Sequence, residues 1–379
     1  MPKRAQVTPA SDEGPVELDK GRIVGRRWKI IEKLGEGGCG SVYKVQDIQT
    51  MAKAALKAES NFVPGGSVLK LEVQVLRRLE GRRYIAQLLQ AGKKSTCRYS
   101  YMVMTLFGHS LNCLLKKCGQ CSISTQVRVG INILYGIKQL HEVGFIHRDV
   151  KPANLAVGRR GKEARIIHIL DFGLSREYII SSGGTVKLRV PRTNVLFRGT
   201  VRYCSANTHT RNEQGRPDDL WSMVYVLVEM RGPLPWNRIR KKHKVGKIKT
   251  TTSDEELFRF SPKELVDIAA HLRTLDYFKR PDYLFIYNKF ASVMSKYHYR
   301  YSDPFDWEEP KPLNSIKKEN APSFSASESK SAEVRPDSMQ YNETDDELQV
   351  NETQRSEDSG DSDEQLFVAA DFEKNELGF

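Results

Sequence analysis

Strand-forming and helix-forming segments are segregated along this chain, and that division limits the available folds more than any other feature. The stretch W-K-I-I-E-K-L from Trp28 runs into a glycine cluster, and S-V-Y-K-V-Q follows with alternating apolar residues. The pattern predicts two strands joined by a glycine-rich turn. Ala52–Lys57 gives a third strand, and Ser67–Leu79 has helical spacing. Farther on the periodicity is mostly helical. Val127, Ile131, Leu134, Ile137 and Leu140 share one helical face, and Gly144 is placed to stop that helix. I-I-H-I-L, ending at Leu170, reads as a buried strand. L-W-S-M-V-Y-V-L-V-E-M, from Leu220, is apolar nearly all round, as a helix at the centre of a domain would be. Strands first and helices later predict an α+β fold of two unlike lobes with a cleft between them.

The ends of the chain read differently. Residues 1–23 are mostly polar, hold three prolines and show no periodicity, so they are expected to form a disordered arm. Order is expected to end near Trp307. That leaves a folded unit over 24–309 and an acidic, serine-rich disordered tail over 310–379. No apolar run approaches the roughly 20 residues of a membrane span, and the first residues lack the apolar core of a signal peptide. Six cysteines in 379 residues do not resemble a disulfide scaffold. The expectation is a protein of the cytoplasm or nucleus, with no membrane partner. Two N-E-T sequences, at Asn342 and Asn351, are discounted as glycan acceptors on the same ground.

The net charge of +13 is uneven. The tail from Pro310 holds 17 acidic and 7 basic residues, while the first 309 residues hold 30 acidic and 53 basic, a balance of +23. Such a body attracts anions: nucleic acid, phosphate, acidic protein or an anionic lipid surface. Ordinary solubilising charge fits the same numbers. No helix-turn-helix, zinc-finger or RNA-binding motif accompanies the charge, which argues against nucleic acid as the partner.

Five motifs carry chemistry. L-G-E-G-G-C-G-S-V spans Leu34, Gly35, Glu36, Gly37, Gly38, Cys39, Gly40, Ser41 and Val42. Its G-x-G-x-x-G spacing lets backbone N–H groups approach phosphate oxygens. A strand follows these glycines, not the helix of a dinucleotide-binding fold. A-A-L-K places Lys57 at a strand end, where it could neutralise phosphate or be an ordinary surface lysine. Glu72 falls within the apolar helical stripe of Val68, Val75 and Leu79. A carboxylate on a buried face is costly unless paired, and Lys57 is the nearest candidate. I-H-R-D-V-K-P-A-N supplies Asp149, Lys151 and Asn154, and D-F-G supplies Asp171. Asp149 can accept a hydroxyl proton, and Lys151 can balance charge on a transferred phosphoryl group. Asp171 and Asn154 are hard oxygen ligands that suit Mg²⁺ rather than zinc.

The five motifs occur in the order of a protein kinase. F-R-G-T-V-R-Y-C-S-A-N-T-H, from Phe197, stands where A-P-E is expected, and its Ser-x-Asn resembles the casein kinase I group. G-R-P-D-D-L-W-S, L-P-W and L-D-Y-F-K-R-P-D-Y are similar to the tau-tubulin kinases within that group. The resemblance covers about residues 24–290. It implies a bilobal protein-kinase fold with a β-rich N-lobe and an α-helical C-lobe, with disordered tails. It implies a serine/threonine protein kinase, a transferase that binds ATP and magnesium and phosphorylates Ser or Thr of protein substrates.

The resemblance also implies Met104 as gatekeeper and Thr105, Leu106 and Phe107 as the hinge that receives adenine. Asp219 would prop the catalytic loop, and Thr200 with Lys151 fits serine/threonine specificity. Arg202 and Lys247 match anion-binding positions of the group, with Arg238 nearby, so acidic or already phosphorylated substrates are expected. The basic run from Trp236 equally fits a solvated face or a nuclear-import signal. The group commonly needs no activation-loop phosphorylation, although Arg148 could receive a phosphate from Ser181, Ser182 or Thr185. A monomer is expected. The rival is a catalytically weak pseudokinase scaffold, which predicts loss of an essential residue, and each is present.

Other features carry less. C-G-Q-C, at Cys118 and Cys121 with Cys113 nearby, lacks the second cysteine or histidine pair of a metal site. Cys39 would sit over the phosphates. His147 reads as a brace for the catalytic loop. Ser356, Ser359 and Ser362 lie among acidic residues, so the tail could mimic a substrate and inhibit, or merely solubilise.

Overall fold

The structure is a computed structural model that describes residues 15–37, 40–62, 66–94, 99–308 and 366–379. The N-terminal lobe is one antiparallel sheet of six strands: β1 (Ile23–Val24), β2 (Trp28–Gly37), β3 (Gly40–Asp47), β4 (Lys53–Ser60), β5 (Leu88–Lys94) and β6 (Tyr99–Met104), in the order β1-β2-β3-β4-β6-β5. Helix α1 (Val68–Arg78) packs on one face. Ser67 caps it by accepting from the Lys70 N–H, which satisfies an otherwise unpartnered first-turn donor. Trp28, Ile30, Tyr43, Val45, Leu56 and Val103 form a separate core on the opposite face.

That outer core corrects the expected arm. Val16 and Leu18 lie over it, with the Tyr43 hydroxyl donating to Val16 O (2.6 Å) and accepting from the Leu18 N–H (3.0 Å). Two apolar residues in a polar stretch are enough to hold it, because the sheet face beneath would otherwise meet water. Residues 1–14 lie outside the described part of the chain.

The C-terminal lobe is helical, as expected. Its helices are α2 (Leu111–Cys118), α3 (Ile123–Glu142), α4 (Ala206–His209), α5 (Arg216–Arg231), α6 (Lys242–Thr251), α7 (Asp254–Leu257), α8 (Val266–Arg273) and α9 (Tyr283–Tyr297). Short strands β7 (Phe145–Ile146), β8 (Leu155–Val157), β9 (Ile167–Ile169) and β10 (Arg176–Glu177) frame the cleft, and β11 (Ile179–Ser182) with β12 (Thr185–Leu188) makes a hairpin beyond it. The apolar run of α5 lies at the centre, buried from Leu220 to Val228 except Trp221. Helix α3 ends where Gly144 takes a φ of +84°, a conformation that a side chain would disfavour. No helix among the described residues is long and apolar enough to cross a membrane.

Order does not end at Trp307. Residues 366–379 lie on the helical lobe and include a final short helix, α10 (Ala370–Glu373). Phe367 and Phe372 are 1% and 0% exposed. The expected disordered tail over 310–379 is therefore corrected for its last part, where two aromatic rings find a pocket that the acidic composition conceals. Ser356, Ser359, Ser362, Asn342 and Asn351 lie outside the described residues.

Candidate active site

The sheet register places the first group of candidates. Gly35 faces Val42 across β2 and β3, Val42 faces Lys57 across β3 and β4, and Ala55 faces Met104 across β4 and β6. The hairpin of β2 and β3 thus overhangs the lysine. Gly40 has a φ of +111°, and a Cβ there would stand 2.1 Å from Ala58 O, so backbone packs where any side chain would clash. Gly38 and Cys39 lie outside the described residues. At the end of β6 the Thr105 N–H donates to Gln87 O (3.1 Å), and the Phe107 ring lies 4.7 Å from that of His168 on β9. This strap through Thr105, Leu106 and Phe107 joins the lobes.

Lys57 and Glu72 meet directly, ammonium to carboxylate, with residue exposures of 3% and 2%. Asp171 Oδ1 approaches the same ammonium at 3.3 Å. Burial pushes the Glu72 carboxyl up to about 7, against the pull of Lys57. Burial would also raise Asp171, but Lys57, His147 and the hydrogen bond with Glu72 together outweigh it and hold that carboxyl down at about 2. Asp171 is therefore anionic throughout the neutral range. Its backbone is left-handed, with a φ of +63°, which Asp tolerates better than most residues.

Asp149 is 8% exposed and held on both oxygens. The Thr200 N–H (2.9 Å) and hydroxyl (2.7 Å) donate to Oδ1, and Lys151 Nζ lies 2.8 Å from Oδ2. Asn154 Nδ2 donates to the Asp149 backbone carbonyl (3.0 Å). The loop beneath is propped by Asp219, whose carboxylate accepts from the backbone N–H groups of His147 (2.7 Å) and Arg148 (2.8 Å) and contacts His141 Nε2 (2.9 Å). Arg148 has a φ of +68°, strained for a long side chain, so these bonds hold the loop where it would otherwise relax. The Asp149 N–H donates to His147 Nδ1 (3.2 Å), which leaves His147 Nε2 as the donor to Leu170 O (3.0 Å). His147 is thus a brace between two loops. His141 and its partner Tyr283 (2.6 Å) were not singled out from sequence. Nothing local distinguishes His141 from any other histidine on a buried face.

The Ser-x-Asn sequence has a physical role. Ser205 Oγ donates to Asp218 Oδ1, Asn207 Nδ2 lies 3.2 Å from the same atom, and the Gly215 N–H donates to Asp218 Oδ2 (2.6 Å). Burial pushes the Asp218 carboxyl up to about 6, and neutral donors surround it.

Other candidates stand apart. The Arg202 guanidinium is turned to Glu229 and to Asn237 Oδ1, whereas Arg238 and Lys247 are exposed. Arg148 donates to Leu174 O (2.6 Å). Cys118 and Cys121 place their sulfurs 3.4 Å apart in the core. The hydrogen bond from Cys118, with burial, raises the Cys121 pKa, so Cys121 is a thiol rather than a thiolate and a poor metal ligand.

His168, buried beside the hinge, gives a pH test. Burial lowers its pKa from 6.5 to about 4. Protonation therefore favours the unfolded chain, and stability present above pH 6.5 is lost as the pH falls towards 4. A shift of that size corresponds to about 3 kcal/mol. Urea unfolding of His168→Gln should show that much less loss between pH 7 and pH 4 than the parent. Equal losses would place the acid sensitivity elsewhere.

The residues present fit a nucleotide with Mg²⁺. Among the described residues no group of three or more His, Cys, Asp or Glu could hold a metal. Mg²⁺ is commonly held by one or two protein oxygens together with substrate phosphates. The anionic Asp171 and the amide oxygen of Asn154 supply that donor set, with the Lys57 cation beside it.

Comparison with known sequences agrees with this geometry. The family model described as protein kinase domain matches residues 28–289. A putative serine/threonine-protein kinase of Caenorhabditis elegans is 46% identical over 306 residues, covering 80% of this chain and 88% of that protein. A probable serine/threonine-protein kinase of Dictyostelium discoideum is 34% identical over 291 residues, covering 76% of this chain and 58% of its own length. An inactive tau-tubulin kinase of Caenorhabditis elegans is 37% identical over 261 residues, covering 65% of this chain and 89% of that protein.

Proposed function

The chain belongs to the protein kinase family, and from that premise we propose that it is an active serine/threonine kinase of the casein kinase I group, similar to the tau-tubulin kinases. The observation that carries the reading is the Asp149 carboxylate, held by Thr200 on one oxygen and Lys151 on the other. In this reading Asp149 orients a substrate serine or threonine hydroxyl and accepts its proton at a carboxylate oxygen. Lys151 offsets charge developing on the transferred phosphoryl group. Lys57, braced by Glu72, orients the α and β phosphates of ATP, beneath the hairpin of β2 and β3. Asp171 and Asn154 would hold Mg²⁺, which when bound screens phosphate charge and leaves the γ-phosphoryl group open to attack. Met104, Leu106 and Phe107 would border the adenine.

The second reading is an inactive scaffold, favoured by one relative that is named inactive. Against it stands the intact set Lys57, Glu72, Asp149, Asn154 and Asp171. The test is transfer of labelled phosphate from ATP–Mg²⁺ to a serine peptide, with Asp149→Asn as control. Transfer lost in the control supports the kinase. No transfer to any peptide, despite ATP-dependent thermal stabilisation, supports the scaffold.

Acidic or phosphorylated substrates suit the +23 charge of the body. Arg202 would be their receptor only on release from Glu229. A phosphoserine upstream of the target serine should therefore raise kcat/KM, and Glu229→Gln should enlarge that preference by freeing the guanidinium. A preference unchanged in Glu229→Gln and abolished by neither Arg238→Ala nor Lys247→Ala would remove the pocket while leaving the kinase in place. The cytoplasm or nucleus is the setting that suits such a protein.

A further inference from the structure

The helical lobe bears a groove that the reaction does not use, and the C-terminal segment lies in it. Tyr84, Tyr135 of α3, Tyr287 of α9 and Tyr301 line it. The Phe367 ring meets Tyr84 and Tyr135 edgewise or tilted, with centroids 5.4 and 5.1 Å away. The Phe372 ring stacks on Tyr287 at 4.4 Å, with planes 13° apart. Backbone contacts follow: the Tyr287 hydroxyl donates to Phe367 O (3.2 Å), and Arg280 donates to Lys374 O (2.9 Å). Charge fixes the direction of the segment. Arg83 pairs with Asp371 (2.9 Å), and Arg82 forks onto both oxygens of Glu376 while also reaching Gln139 (2.7 Å). The Glu376 N–H donates to Glu142 (2.5 Å), and Arg216 donates to Phe379 O (3.1 Å).

This is the anatomy of a specific peptide interface. Two aromatic anchors five residues apart are fully buried, and opposite charges rim them. The exposed ion pairs contribute little energy and set register, so the rings carry the attachment. The placement has a consequence for the cleft. Arg82, Arg83 and Tyr84 lie in the turn four to six residues beyond the end of α1, whose Glu72 meets Lys57. The segment ties that turn to α3 and α9.

We propose that this groove is a docking site for a peptide of Phe-x-x-x-x-Phe pattern with flanking acids. Its ligand is Leu366–Phe379 of the same chain. Occupancy holds the turn after α1 against the helical lobe and so keeps Glu72 on Lys57. The effect on phosphoryl transfer rests on the function proposed above, but the docking does not.

The test uses the full chain carrying Phe367→Ala and Phe372→Ala together. Hydrogen exchange over residues 68–84 should accelerate by about tenfold or more, since a tethered segment loses local protection when its anchor goes. A labelled peptide of residues 366–379 should bind this variant and bind the parent at least about tenfold more weakly, because the parent's own segment competes at high effective concentration. The double variant should also raise the KM for ATP, and saturating peptide should restore slow exchange and lower that KM again. The same peptide with both phenylalanines replaced by alanine should do neither. Exchange that stays slow in the double variant, or a peptide that binds parent and variant equally, overturns the proposal. If the double variant does not fold, Asp371→Lys with Glu376→Lys loosens the segment from the surface. Arg82→Glu with Arg83→Glu should then restore exchange, and failure to restore it overturns the proposal. Sedimentation that shows concentration-dependent dimers assigns the ligand to a second copy and overturns the intramolecular assignment. The exchange and peptide measurements need no ATP, so their failure is separate from a failure of the kinase reading.

Discussion

Asp149→Asn should lower phosphoryl transfer by about 10²- to 10⁴-fold, the usual worth of a positioned general base, while ATP–Mg²⁺ still raises the melting temperature. The substitution is nearly isosteric. The amide oxygen can keep the Thr200 N–H and hydroxyl, whose distances to Asp149 Oδ1 are 2.9 and 2.7 Å. The new NH₂ group instead faces Lys151, which now lies 2.8 Å from an oxygen. Two donors then oppose each other, and no atom remains to take the substrate proton. The expected signature is a fall in kcat with the KM for ATP little changed, because the substitution leaves Lys57 and the hinge, the proposed ATP contacts, untouched. Steady-state kinetics of the pure variant decide it. Activity within about threefold of the parent would remove Asp149 as the base.

Asp219→Ala should cost about 3–5 kcal/mol of folding stability and abolish most of the activity together. Asp219 is 1% exposed, and its carboxylate serves the N–H groups of His147 and Arg148 as well as His141. Alanine leaves buried donors with no acceptor. The strained Arg148 backbone loses the bonds that hold it, so Asp149, the next residue, should lose its position. Asp219→Asn separates the two effects, since one amide oxygen can still serve one backbone N–H. It should recover part of the stability and less of the activity. Urea unfolding with kinetics on both variants gives the answer. Full stability in Asp219→Ala would show that the network contributes nothing measurable.

Much of the site was legible because its parts are local. A glycine turn between two strands, a lysine on the next strand and an aspartate directly after a buried strand each show in a window of ten residues, although Lys57, read as a strand end, lies inside β4, which runs on to Ser60. The pairing of Lys57 with Glu72 was legible too, although it joins two elements. A carboxylate on an apolar stripe needs a cation, and the strand before it offers one. The sequence does not show which way a long surface side chain turns. Arg202 reads as an anion receptor because it matches an anion-binding position of the group the chain resembles, yet Glu229, on a helix that begins later, takes its guanidinium.

Period, turn chemistry and the ban on unpaired buried charge therefore determined the two-lobed plan, the helix stop at Gly144 and the pairing of Lys57 with Glu72. The tertiary structure alone decided which distant groups meet. Thr200 reaches Asp149 across 51 residues, and the Glu376 N–H reaches Glu142 across 234. It also decided that Val16, Leu18, Phe367 and Phe372 are held, although their polar or acidic surroundings read as tails. Local composition reports whether a segment can fold by itself. It does not report whether a finished lobe offers a groove in which two rings lose their water.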